Sequence, residues 1–284
     1  MFSLLKNFFS KKLNVSIVDS DDRFDEIAYE LSFENIIGID TEFDWRNTYY
    51  PKLALIQIST SKNIFLIDCL KLNNLNKFKS IFENKDICKI FHASRSDITV
   101  LFCSLGLKVF NIFDVQIAEK FISKSDHKSY SKIVLKYLNL RIDKSETNSN
   151  WLRRPLTVSQ INYAANDVRY LINIFEKQKK ILKENDSFAF IQDLSKKEAI
   201  LGSQELYIPR LKKLKFKEKM AKDLFMWREK IAMERNIPPS FVFKDRYLKK
   251  MLNIYKENNP KKDFYDILKN EKLADDLIKT LEKC

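Results

Sequence analysis

Ile36-Ile37-Gly38-Ile39-Asp40-Thr41-Glu42-Phe43, residues 36–43, is the stretch on which the fold turns. The apolar run Ile36 to Ile39 reads as a buried strand, and a carboxylate at its end is carried to the edge of a sheet. Side chains alternate along a strand, so Glu42 projects from the same side as Asp40. Two carboxylates held there repel each other unless a cation lies between them.

Working outward, two more acidic positions share this setting. Asp97 follows a second strand-like run, Ile90-Phe91-His92-Ala93, and Tyr163-Ala164-Ala165-Asn166-Asp167 lies in a long helical pattern. Positions i and i+4 of a helix share a face, so the phenol of Tyr163 and the carboxylate of Asp167 point the same way. Asp40, Glu42, Asp97 and Asp167 supply hard oxygen ligands, which suit Mg²⁺ or Mn²⁺ rather than a thiophilic metal. Two such ions clamp the attacking and leaving oxygens of an in-line phosphoryl displacement. Taken singly, an Asp-x-Glu after a strand is most often a solvated turn, and a Tyr and an Asp four apart are most often a surface pair. Three such pieces, each beside an apolar element, argue for one site assembled from distant segments.

The runs Val15–Val18, Ile36–Ile39, Leu53–Ile58 and Ile64–Ile67 read as strands, with one helix at about residues 21–33 between the first two. Only Thr60-Ser61-Lys62-Asn63 separates the third and fourth strands, which reads as a hairpin. Beyond Asn74 the pattern predicts a helix to about Asn84, a strand from Cys88 to His92, a helix from about Ser94 to Leu105, a short strand near Phe110, and helices from Phe113 onward. The predicted fold is α/β, a mixed sheet flanked by helices and followed by a small all-α bundle. The polar helical stretch Lys183 to Gln204 reads as leading away from the catalytic unit. Residues 1–206 are therefore expected to form one domain with a trailing linker, and residues 207–284 a second. In the latter, Leu224, Trp227, Arg228, Glu229 and Ile231 lie in an amphipathic helix stopped by Asn236-Ile237-Pro238-Pro239.

Hydrophobic residues make up 45% of the 284 and charged residues 31%, the balance of a water-soluble globular chain with a sizeable core. No run of about 18 apolar residues is present to span a bilayer. Four cysteines without close pairing, and two histidines, make a zinc site improbable and point to a reducing cytoplasm. Met1 to Val18 holds three lysines and no acid, a weak targeting-like composition without arginine, and a short amphipathic helix is the better expectation. The net charge is +13, and residues 207–284 hold 21 Lys or Arg against 12 Asp or Glu, so most of the excess lies in the last quarter. Such a surplus suits a polyanionic partner, since cationic contacts to phosphates release condensed counterions. RNA and DNA are both open at this point, and many of these lysines are expected simply to solvate helix faces.

The joint pattern resembles ribonuclease D, the tyrosine-bearing branch of the DEDD 3′-5′ exonucleases. The resemblance rests on Asp40-Thr41-Glu42-Phe43, Thr48 to Ile58, Phe91-His92-Ala93 with Ser96-Asp97, Arg154-Pro155-Leu156, and Tyr163-Ala164-Ala165 with Asp167-Val168, and it covers residues 14 to 180. Trp227-Arg228-Glu229, Ala232, Pro238-Pro239, Val242, Asp245 and Leu248 resemble the helical HRDC domain shared by RecQ helicases and ribonuclease D, of which one copy fits here.

The resemblance implies a ribonuclease H-like fold and a 3′-5′ exoribonuclease. In this reading Asp40, Glu42, Asp97 and Asp167 bind two divalent ions, Mg²⁺ or Mn²⁺, and Tyr163 orients the attacking water. A nucleoside 5′-monophosphate leaves the 3′ end of RNA, with tRNA precursors the expected substrates and single-stranded DNA a further one. Phe43 is expected either to stack on the terminal base or to pack under the strand. Tyr49, Tyr50 and Gln57 are expected to line the nucleotide pocket, and His92 is either structural or a substrate contact. A monomer is expected. Two other classes share parts of the pattern: a Werner-type DNA exonuclease, and a non-catalytic RNA-binding scaffold, which a missing acid would have favoured.

Overall fold

The computed structural model describes residues 13–143, 145–214, 218–256 and 260–282, so the helix expected before residue 13 lies outside the described residues. Strands β1 (Asn14–Val18), β2 (Ile36–Asp44), β3 (Lys52–Ser59), β4 (Asn63–Asp68), β5 (Cys88–Phe91) and β6 (Ile112–Asp114) form one sheet in the order β1-β4-β3-β2-β5-β6. The sheet is mixed: β3 pairs antiparallel with β2 and β4, while β1–β4, β2–β5 and β5–β6 are parallel. The hairpin expected at residues 60–63 is present.

Alternation along β2 sets both faces of the sheet. Ile37 and Ile39 point into a core with Phe24, Ile27 and Leu31 of helix α1 (Asp21–Leu31), Phe78 and Phe82 of α2 (Phe78–Phe82), and Ile98 and Leu101 of α3 (Arg95–Leu105). Each such side chain, fully buried, contributes about 1.5–3 kcal/mol. The opposite face is covered by α4 (Val115–Ser123), α5 (Tyr130–Leu138), α6 (Val158–Arg169) and α7 (Leu171–Glu184), whose Ala164, Val168, Leu171 and Ile174 cluster with Leu55 and Leu66. Asp40 and Glu42 therefore face α6.

The approach of α6 and α7 to the sheet depends on Gly38. A Cβ there would lie 2.4 Å from Ser59 Oγ and 3.0 Å from Leu171 Cβ. Ser59 Oγ in turn donates to Val168 O at 2.8 Å, using a carbonyl at the end of α6.

Helix α8 (Phe188–Gly202) corrects an expectation. It does not lead away from the sheet unit; it packs on β6 and α3. Ser195 Oγ accepts from Asp114 N at 3.0 Å, Arg95 Nε donates to Glu198 Oε2 at 2.5 Å, and the Cα of Gly202 sits where a Cβ would touch Arg95 O at 3.0 Å. The predicted helix after Asn74 is only the five residues of α2, and the strand predicted near Phe110 begins at Ile112.

The chain divides into two compact units, one of residues 1–44 and 52–203 and the other of residues 45–51 and 204–284. The second is thus not a contiguous C-terminal segment. Its helices are α9 (Tyr207–Lys212), α10 (Lys219–Glu234), α11 (Pro239–Val242), α12 (Leu248–Lys256), α13 (Pro260–Leu268) and α14 (Glu271–Leu281), with a 3-10 turn at Asp245–Tyr247. Leu224, Phe225, Trp227, Ile231 and Ala232 of α10 are buried, and Trp227 Nε1 donates to Asp276 Oδ2 at 2.7 Å. Within the same unit Tyr49 Oη donates to Glu229 Oε2 at 2.9 Å, and Asn236 Oδ1 accepts from the backbone N of both Tyr49 and Tyr50 at 3.1 Å. No helix among the described residues is long and apolar enough to cross a membrane.

Candidate active site

Asp40 and Glu42 end the buried part of β2, and Asp167 comes from the last turn of α6. One carboxylate oxygen of each lies within 4.8 Å of the others, and all three side chains are half-buried. Burial raises the Asp40 carboxyl well above its usual range, helped by repulsion from Asp97, Asp167 and Glu42. Burial, then Asp167 and Asp97, push Glu42 up to about 9. A site that resists ionisation this strongly is one where a cation is the natural counter-charge.

Asp97, from α3, is not one of that group of three, but its charge is felt by Asp40 and Glu42. It is 5% exposed, burial pushes it up to about 7, and its Oδ1 accepts from Thr41 Oγ1 at 2.6 Å. Thr41 points to the opposite face from Asp40 and Glu42, so one strand places two acids directly and steers a third through a hydroxyl.

The turn that delivers Asp97 is held by Asp114. Its carboxylate accepts from Ala93 N at 3.1 Å and Ser94 N at 2.8 Å, and also caps α4 by accepting from Gln116 N at 2.8 Å. Ala93 sits at φ 60°, a left-handed conformation that a non-glycine residue keeps only when its surroundings enforce it. Neither Thr41 nor Asp114 is found by reading the sequence for ligands. The available signal was an Asp directly before a helix, which by itself indicates only a cap.

Helix α6 is started by a capping box: Thr157 Oγ1 accepts from Gln160 N at 3.1 Å and Gln160 Oε1 from Thr157 N at 3.0 Å. The segment leading into it is pinned by Arg154, whose Nε and Nη2 donate to the two oxygens of Asp68 at 2.5 and 2.7 Å. Arg154 is thus a structural clamp on β4. Tyr163, half-buried, places its Oη 3.2 Å from Thr147 Oγ1 and its ring 5.9 Å from that of Trp151. Burial, with Asp167 beside it, raises the phenol above its ordinary value, so it stays protonated at neutral pH.

The other expected residues fall in different places. Phe43 is half-buried against the α1 and α3 core, immediately beyond Glu42. Gln57 pairs with Asp40 across the β2–β3 ladder, on the same face, and is fully buried with neither amide atom hydrogen-bonded among the described residues. His92 is held inward: its Nε2 lies 3.0 Å from Lys128 O and 3.3 Å from Gln116 Nε2, and its ring packs 5.6 Å from that of Tyr130. Tyr49, expected at the nucleotide pocket, falls in the helical unit. It is 1% exposed in the helical unit, where Glu229 accepts its hydroxyl proton and the Arg210 guanidinium covers its ring at 5.0 Å. Tyr50 is half-buried beside it, the two rings 5.0 Å apart.

Residues 15–183 match the profile described as 3′-5′ exonuclease, and residues 217–260 that of the HRDC domain. Ribonuclease D of Desulfotalea psychrophila is 30% identical over 250 residues, covering 82% of this chain and 65% of that protein. Ribonuclease D of Haemophilus influenzae is 31% identical over 238 residues, covering 80% of this chain and 59% of that protein. The chain therefore spans less than two thirds of the length of these curated relatives. Among solved structures, that of Escherichia coli RNase D, described as an exoribonuclease involved in structured RNA processing, superposes with a TM-score of 0.83 at 26% identity over 95% of this chain and 75% of that one.

Proposed function

We infer that this chain, which belongs to the 3′-5′ exonuclease family, is a metal-dependent exoribonuclease that releases nucleoside 5′-monophosphates from RNA 3′ ends. The observation that carries the reading is the convergence of Asp40, Glu42 and Asp167 to within 4.8 Å, from two elements far apart in sequence. Hard oxygen donors at that spacing fit divalent cations, and the fold family implies them. Asp40, Glu42, Asp97 and Asp167 would hold two, Mg²⁺ or Mn²⁺. When bound, such ions supply Lewis acidity and counter-charge for phosphodiester hydrolysis.

The chain's own residues do the rest. Tyr163 Oη, on the same helix as Asp167, is the group that orients a water or a phosphate oxygen in this reading. Thr41 fixes the rotamer of Asp97, and Asp114 fixes the turn that carries it. Phe43, next to Glu42, offers an aromatic edge to the terminal base, a contact that tolerates any base. The natural substrate in this reading is the 3′ extension of a precursor tRNA or another structured RNA, met by a monomer in a reducing cytoplasm.

A ladder assay on matched 5′-labelled RNA and DNA strands with Mg²⁺ or Mn²⁺ tests it. Stepwise shortening of RNA from the 3′ end, with 5′-mononucleotides as product, is the expected result. Shortening of DNA alone would replace it with the Werner-type reading, and no shortening of either with the scaffold reading.

A further inference from the structure

A groove of about 720 Å³ opens in the sheet unit between the residues preceding β5, those preceding β6, and α8. Lys85, Lys108 and Lys196 line it, and none of them forms an ion pair among the described residues. Its one acidic lining residue, Asp193, is held by Lys197 at 2.7 Å. Phe110, 38% exposed, and Ile200, 55% exposed, supply the apolar wall, and Lys85 Nζ lies 5.7 Å from the Phe110 ring centroid.

The groove is built rather than incidental. Asn111, at φ 52°, donates from Nδ2 to Lys85 O at 2.8 Å, and Phe110 N donates to Phe82 O at 3.1 Å. These bonds lock the two loops side by side. Lysines around an exposed ring, with Asp193 answering Lys197 and, more weakly, Lys196, form the combination that tracks a phosphate backbone and stacks a base.

We propose that this groove is a second binding site for the body of a single-stranded nucleic acid, RNA if the exoribonuclease reading on which this rests is right. Lys85, Lys108 and Lys196 hold phosphates, and Phe110 receives a base. Strands β5 and β6 are parallel, and the groove lies at their N-terminal ends, whereas Asp97 follows the C-terminal end of β5. The four residues of β5, at roughly 3.3 Å each, put on the order of 13 Å between the ends. That is a straight-line minimum through the sheet, and a strand passing over the surface from one to the other must be longer, so the site favours long strands over short ones.

The test uses the full chain with chelator, so that the strand stays intact, and compares a long single-stranded RNA with a trinucleotide. The triple variant Lys85→Glu/Lys108→Glu/Lys196→Glu is expected to bind the long strand at least tenfold more weakly. Its slope of log K against log salt should be shallower by roughly 0.7 for each phosphate that is no longer neutralised. Phe110→Ala should weaken the long strand severalfold, and trinucleotide binding should be unchanged in both. Unchanged long-strand affinity and salt slope, in variants that unfold at the wild-type temperature, would overturn the proposal, as would a groove that instead binds only peptide. Should the triple variant not fold, photocrosslinking of a 4-thiouridine strand to the wild type decides. Adducts at residues 108–112 support the site, and adducts confined elsewhere refute it. With metal restored, trimming without groove binding sinks this inference alone. Groove binding without trimming of any 3′ end sinks the exoribonuclease reading and leaves the site standing.

Discussion

Asp40 sits where burial and three neighbouring acids all oppose its ionisation, so its carboxylate is costly to the folded chain until a cation is present. Asp40→Ala should abolish nuclease activity while leaving secondary structure intact, because the half-buried side chain belongs to the cluster rather than the core. Added Mg²⁺ or Mn²⁺ should raise the melting temperature of the wild type, since a ligand that binds only the folded state stabilises it, and the variant should lose that rise. Retained activity with an unchanged metal-induced shift would end the assignment. Tyr163→Phe removes a donor but no charge. Turnover should fall by about 10²-fold, the scale of a positioned proton donor or acceptor, with metal affinity close to wild type. Because the phenol is raised rather than lowered, no alkaline limb of the pH–rate profile should vanish with it.

At the scale of elements, the sheet and the α6–α7 junction are one mechanical part. Gly38→Ala puts a methyl 2.4 Å from Ser59 Oγ, so the junction bearing Asp167 must move outward. Overpacking of this kind costs about 1–3 kcal/mol, and denaturant titration should find it. The metal concentration for half-maximal activity should rise in the same variant; an unchanged requirement would show that the junction can yield without moving Asp167. Lys89 in β5 gives a pH signature. It is fully buried, burial pushes its ammonium down to about 8, and its Nζ donates to Ile87 O at 2.9 Å and to Asn84 O. An unfolded lysine keeps its proton to about 10.4. Between those values the unfolded state binds more protons, so raising the pH favours folding. The stability of wild type minus that of Lys89→Met should therefore climb from pH 8 upward, and a flat difference would contradict the shift.

Much at this scale was legible in the sequence. Asp40, Glu42, Asp97 and Asp167 could be found because each follows or lies in an apolar element whose periodicity fixes where a carboxylate points. Thr41 and Asp114 could not, because a hydroxyl or a cap acquires its role only from a partner 56 or 20 residues away. Helix α8 was misplaced for a related reason. Beyond Ile191 its inward face is made of Ser195, Ala199 and Gly202, small or polar groups that accept close packing yet look like linker when read for hydrophobicity.

For the molecule as a whole, the basic C-terminal segment looked separable in sequence, because it contains none of the acids. The unit it belongs to also contains residues 45–51. Deleting residues 204–284 takes Glu229, Arg210 and Asn236 from Tyr49 and from the backbone of Tyr50, and those seven residues join β2 to β3, the strands carrying Asp40, Glu42 and Gln57. The truncated chain should melt at lower temperature and trim even a short RNA more slowly. Asn236→Ala, which removes the acceptor shared by two backbone donors, should reproduce part of the stability loss, about 0.5–1.5 kcal/mol. A truncated chain with wild-type melting and trimming would show that the loop needs no cover.

That excursion also has a consequence in time. Tyr49 leaves the ribosome 180 residues ahead of the carboxylate that accepts its hydroxyl proton. The strands on either side can pair as soon as β3 emerges, while the loop between them waits, uncovered, until α10 has been made. Synthesis thus leaves an aromatic hairpin tip open to proteases and chaperones until the helix that covers it has followed, and the clasp closes long after its first half was made.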